Sequence, residues 1–237
     1  MIPPPRAILF DLDETLLSFG RRPLILAEVA EAFAAALAPL APLDLAEALE
    51  ARFQAFWADP ERHRVWRFKL AAARLKIVSE AFEALRPRAP GLTPQMAHAF
   101  AERFHAYRED QARFFPGALE AVDELKRRGV KLALVTNGAA DVQRAKIERF
   151  DLAHRFDHIQ IEGEAGFGKP EARAYLHAMA ALGVQAHETW MVGDNLEWEV
   201  AAPQRLGIHA IWHDHLRPAC RRTVPSGPTG SSAPSAN

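Results

Sequence analysis

Apolar residues along this chain follow two rhythms, and the change of rhythm marks its parts. Residues 7–12, AILFDL, form a short continuous apolar run ending in acid, the pattern of a buried strand. From about residue 24 to residue 111 the apolar positions recur at helical spacing, and no stretch reads as a strand. Leu26, Ala30, Phe33 and Leu37 mark one face; Leu45, Leu49, Phe53 and Phe56 a second; Phe68, Ala72, Leu75 and Phe82 a third. Thr93 before Pro94 predicts a helix start, with threonine as cap and proline in the first turn. Met96, Phe100, Phe104 and Tyr107 line that helix, and Pro39, Pro42, Pro60, Pro87 and Pro90 punctuate the segment.

After Phe115, Pro116 and Gly117 strands and helices alternate. A helix through Leu119, Val122 and Leu125 ends near Gly129. Strands are predicted at 131–136, 158–161, 189–192 and 209–212. Helices are predicted at 141–150, at 171–182 closed by Gly183, and at 197–206 closed by Gly207. Such alternation implies parallel strands joined by right-handed crossovers. The expected fold is α/β: a Rossmann-like parallel sheet core, residues 1–20 and 113–222, interrupted by an all-helical domain, residues 21–112. Residues 223–237, rich in Ser, Pro, Gly and Ala, are expected to be disordered.

The 237 residues, 49% hydrophobic and 25% charged, suit a core with an insertion. A formal charge of -1 gives no global field to recruit nucleic acid or an anionic membrane. The lone cysteine, Cys220, allows no internal disulfide. The first residues lack the basic-then-apolar pattern of a signal peptide, and no apolar run is long enough to span a bilayer, so a cytoplasmic protein is expected.

Open parallel sheets bind ligands at the carboxyl ends of their strands, and four predicted strand ends carry polar groups. Asp11 and Asp13 follow the first strand, where two nearby carboxylates repel and a divalent cation relieves the repulsion. One such carboxylate can attack phosphorus and the other move a proton; a surface acidic turn presents the same residues. Thr136, Asn137 and Gly138 offer a hydroxyl and backbone N–H groups to phosphate oxygens, or form an ordinary turn. Lys169 offers a fixed positive charge, or a solvated one at a helix start. Asp194 stands where a metal ligand would, with Asn195 and Glu199 behind it; acids at a helix start also complement its dipole. Each alternative serves singly, but none accounts for all four in this order. The stretch Arg62, Arg64, Trp66, Arg67 and Lys69 reads as a solvated helix face or as a contact for a second anionic group. The histidines show no metal-ligand spacing.

The segments FDLDETL at 10–16, VTNG at 135–138, GKP at 168–170 and VGDNLEWE at 192–199 resemble, in order, the motifs of the haloacid dehalogenase-like hydrolase superfamily. The resemblance spans residues 6–212, and the insertion resembles the family's type-one cap. It implies Asp11 as nucleophile, Asp13 as general acid/base, Lys169 as catalytic cation, and Thr136, Asn137 and Lys169 at the phosphate. It also implies Mg2+ held by the Asp11 and Asp194 carboxylates and the Asp13 main-chain carbonyl. Glu199 stands where the family usually has Asp. An acid at position 13 is similar to the phosphatase branch, since a departing alkoxide needs a proton and a halide does not. The resemblance thus implies a magnesium-dependent phosphomonoester hydrolase acting on a nucleotide, sugar phosphate or phosphoglycolate. A phosphomutase on the same core and a non-catalytic binding protein are the rivals.

Overall fold

The computed structural model describes residues 4–216; Cys220 and the tail at 223–237 lie outside them. Five strands, β1 (Ala7–Phe10), β4 (Lys131–Thr136), β5 (His158–Ile161), β6 (Thr189–Gly193) and β7 (His209–Trp212), form one sheet in the order β5-β4-β1-β6-β7. All neighbours are parallel. The α/β core is therefore as the alternation implied. β1 lies at the centre, and successive strands build outward from it first on one side and then on the other. The order reverses between β1 and β6, which opens a crevice beyond their carboxyl ends.

Alternation along β1 serves both faces. Ile8 and Phe10 pack with Leu132, Leu134 and Ile147 on one side; Ala7 and Leu9 pack with Val135, Tyr175, Ala178 and Met191 on the other. Helices α7 (Ala118–Arg127), α8 (Ala140–Arg149), α9 (Glu162–Ala165), α10 (Ala172–Leu182) and α11 (Ala202–Arg205) complete the core.

The insertion comprises α1 (Arg22–Glu31), α2 (Ala34–Leu37), α3 (Pro42–Trp57), α4 (Pro60–Trp66), α5 (Leu70–Leu85) and α6 (Pro94–Asp110). It buries its own apolar cluster, including Leu26, Leu45, Phe53, Ile77, Phe82, Phe100 and Phe104. Two-residue strands, β2 (Leu17–Ser18) and β3 (Arg113–Phe114), pair antiparallel and tie its two ends together. They are too short to leave a period in the sequence.

Four helical expectations change. The face marked by Leu26 to Leu37 is split between α1 and α2. The face of α5 is rotated by about one position: Ala73, Ile77, Val78 and Ala81 are buried with Phe82, while Phe68 is 43% exposed. The segment at Pro60, read only as a break, starts α4: Asp59 accepts the Glu61 and Arg62 N–H groups and proline fills the first turn. The helix expected at 197–206 opens instead with a wide π-type turn over Leu196–Ala201 before α11.

Candidate active site

Asp11 and Asp194 stand at the switch point between β1 and β6. The Asp11 N–H donates to the Val192 carbonyl at 3.0 Å, which fixes its backbone across the two strands. Its Oδ1 accepts from Lys169 Nζ at 2.5 Å and its Oδ2 from the Thr15 hydroxyl at 3.2 Å. Lys169 Nζ also lies 2.7 Å from Glu199 Oε1. All three of these charged groups are buried. Burial works against the Lys169 ammonium, yet the Asp11 and Glu199 charges hold its pKa above the usual lysine range. Burial raises Asp11 while Lys169 opposes the rise. Glu199 is pushed up to about 7, chiefly by burial, with Lys169 opposing and Asp11 adding. Asp194 is pushed up to about 8 by burial and then by Asp11 and Glu199. Two carboxylates thus flank one ammonium, and the charge of a third, Asp194, is felt by the same group.

That excess of negative oxygen suits a hard divalent cation. Asp11 and Asp194 are the side chains that could hold one, with the Asp13 main-chain carbonyl on the loop that follows Asp11. Among the described residues no three His, Cys, Asp or Glu side chains converge as a metal cage. Glu199 faces Lys169 with one oxygen and accepts the Asn195 N–H at 2.8 Å with the other. The Asn195 side chain caps the wide turn by accepting from the Glu197 and Trp198 N–H groups. Gly193 makes room for this return: a β-carbon there would lie 1.9 Å from Glu199 Cγ.

Asp13 points elsewhere. Lys146 Nζ reaches its two oxygens at 2.9 and 2.8 Å, and Gln143 Nε2 donates to Oδ2 at 3.1 Å. Gln143 also donates to the Thr136 hydroxyl at 2.5 Å, so Asp13 and Thr136 share one amide. The Asn137 side chain is engaged with the Lys169 main chain, donating to its carbonyl at 2.7 Å and accepting its N–H at 2.9 Å. The Gly138 N–H donates to Glu162 Oε2 at 3.1 Å. Glu162, Lys146 and Gln143 were absent from the sequence reading. A helix start explains an acid at 162, and a helical surface explains Gln143 and Lys146; only burial distinguishes them.

The basic stretch in and after α4 also divides. Arg64 is exposed and pairs with Glu61, as a solvated face would. Arg67 does not: its side chain is 14% exposed and forms an ion pair with Glu162. A cavity of about 420 Å³ is lined by both arginines, Phe68, Glu162, Gly163 and Phe167. Beside it the Trp198 ring meets His63 edge-on at 4.7 Å. On the other side of the crevice Arg108 of α6 reaches Glu14 at 3.3 Å. The helical insertion therefore faces the carboxyl ends of the strands.

The haloacid dehalogenase-like hydrolase family model matches residues 5–207. The chain is 38% identical over 180 residues to a phosphoserine phosphatase of Thermus thermophilus, covering 73% of this chain and 65% of that one. It is 34% identical over 109 residues to a ribulose-1,5-bisphosphate 5-phosphatase of Halopiger xanaduensis, 46% and 45% of the two chains. It thus spans 65% and 45% of the lengths of these curated relatives. Its fold is similar to that of a HAD-hydrolase from Bacillus subtilis bound to magnesium. That likeness has a TM-score of 0.65 and 21% identity, over 94% of this chain and 91% of that one. With the four strand-end loops assembled on one crevice and the family matched across sheet and insertion alike, the chain belongs to the haloacid dehalogenase-like hydrolases.

Proposed function

We propose that the chain is a phosphoric monoester hydrolase for a small phosphorylated metabolite, working through an aspartyl phosphate on Asp11. The observation that carries this reading is the buried Asp11 carboxylate, held at the switch point with Lys169 on one oxygen and the Thr15 hydroxyl on the other. Relatives named for phosphoserine and ribulose-1,5-bisphosphate support the substrate class. Nucleotides, sugar phosphates and phosphoglycolate remain within it.

Asp11 Oδ2 attacks phosphorus in line while the bond to the ester oxygen breaks. Asp13 turns from Lys146 and Gln143 and gives the leaving alkoxide its proton. It then takes a proton from water as the hydroxide attacks phosphorus, releasing phosphate and restoring the Asp11 carboxylate. Lys169 holds Asp11 in place and offsets charge on the transferring group. Thr136 and the Asn137 N–H face the phosphoryl oxygens. Asp11, Asp194 and the Asp13 carbonyl would hold a magnesium ion, which would supply further positive charge beside the phosphoryl group. The helical insertion acts as a cap that limits water and admits substrate.

A panel of small phosphomonoesters with magnesium tests this reading. The wild type releases phosphate and Asp11→Asn releases almost none; equal rates in the two proteins contradict the nucleophile. Isomerised ester without net phosphate release would identify a mutase instead.

A further inference from the structure

Glu162 is fully sequestered although none of the chemistry above uses it. Its carboxylate touches both loops that frame the crevice. Oε2 accepts the Gly138 N–H at 3.1 Å, in the loop that carries Thr136 and Asn137. Its carboxyl carbon would lie 2.5 Å from a β-carbon on Gly168, the residue before Lys169. The counter-charge comes from outside the core: Arg67, the residue that ends α4. Arg67 Nε is buried with no hydrogen-bond partner, so the guanidinium is held by the ion pair together with the Phe68 and Trp198 rings it lies over, at 5.4 and 6.0 Å. The same helix seats His63 against Trp198, within the turn that carries Glu199. α4 therefore meets the core at two of the loops that build the site.

We propose that Glu162 is a positioning residue for the phosphate cradle and that Arg67 sets it, so that seating α4 on the core and aligning residues 136–138 with Lys169 are one event. The catalytic consequence rests on the phosphatase reading; the coupling itself does not. A buried carboxylate is strongly disfavoured without its counter-charge. When α4 lifts, Glu162 must turn to water, and the Gly138 N–H loses its acceptor. Substrate that brings the insertion down thereby tightens the loops that hold its phosphate.

Hydrogen exchange of the full chain, read on the peptide covering residues 134–140, tests the link without any turnover. Arg67→Gln and Glu162→Ala are each expected to speed exchange at Gly138 about tenfold or more. The double variant should be no faster than the faster single one, because the two residues act in series. Arg64→Gln, exposed and paired only with Glu61, should leave exchange unchanged. In turnover of a phosphomonoester, Arg67→Gln should lower kcat more than it raises KM, with partial rescue by Arg67→Lys. Unchanged exchange at Gly138 in Arg67→Gln overturns the proposal, as do effects that multiply in the double variant. Should Glu162→Ala fail to fold, Arg67→Gln and Arg67→Lys decide the question. A wild type that hydrolyses no phosphomonoester defeats the phosphatase reading, while the exchange result still decides the coupling.

Discussion

Replacing Lys169 by methionine tests the charge balance of the site most directly. The ammonium lies 2.5 Å from Asp11 and 2.7 Å from Glu199, and all three groups are buried. Removing one partner of a buried ion pair costs about 3–5 kcal/mol, because the remaining charge is stranded away from water. For a chain of this size that is a fall in Tm of roughly 6–20 °C. The loss must depend on pH. Lys169 is protonated in both folded and unfolded chains below its ordinary pKa, so its own titration adds no slope between pH 5 and 8. The slope comes from the carboxylates. Glu199 is already raised to about 7 with Lys169 present, and losing that cation raises it further. A group raised on folding gives stability that is whole below its unfolded pKa and is lost as pH rises through its folded one. The deficit of Lys169→Met should therefore be small at pH 5 and largest near pH 8. Calorimetric melts of metal-free protein at pH 5, 6.5 and 8 measure it. A variant melting within a degree or two of wild type at pH 8, or one whose deficit grows toward acid, refutes the reasoning. Turnover should fall by at least about 10² in the same variant, since in the proposed mechanism the cation also offsets charge on the transferring group.

Gly193→Ala should push Glu199 off Lys169, given the 1.9 Å approach of the added carbon to Cγ. Overpacking of about 1–3 kcal/mol lowers Tm by roughly 2–12 °C, and an unchanged melt contradicts the return of Glu199 beneath this strand end. Asp194, raised to about 8, gives metal-free protein a stability that declines as pH climbs from the ordinary carboxylate range through 8. Asp194→Asn should decline less steeply, keeping the part due to Glu199, and magnesium should oppose the decline in wild type; identical pH slopes with and without the Asp194 carboxylate would refute this. Asp13→Asn should lose most turnover, and a normal rate would remove its acid/base role.

The sheet was legible because its central strands, β1 and β4, are buried on both faces and carry continuous apolar runs between turn residues. Once the strand ends were located, the acids following them could be read as a group, and Asp11, Asp194, Lys169 and Glu199 do meet there. The helical insertion was legible as helices but not in register. The face of α5 is chosen by what α3 and α6 present to it, and α4 is too short for its period to show.

The polar side chains that orient the site left no such mark, for a physical reason. A buried Glu or Lys is locally indistinguishable from an exposed one; what makes burial tolerable is a partner far away in the chain. Lys146 answers Asp13 across 133 positions, and Glu162 answers Arg67 across two parts of the fold. One local trace did exist. Gly168 lies outside the left-handed region, so no turn requires a glycine there. It is glycine because a β-carbon would lie 2.5 Å from Glu162 Cδ and 2.7 Å from Asn137 Oδ1. In the sequence that glycine belonged to the lysine motif, and its absent side chain is the imprint of Glu162. The motif's glycine and the buried glutamate are two halves of one packing constraint, which is why the loop bearing Lys169 cannot be set independently of the carboxylate that Arg67 holds.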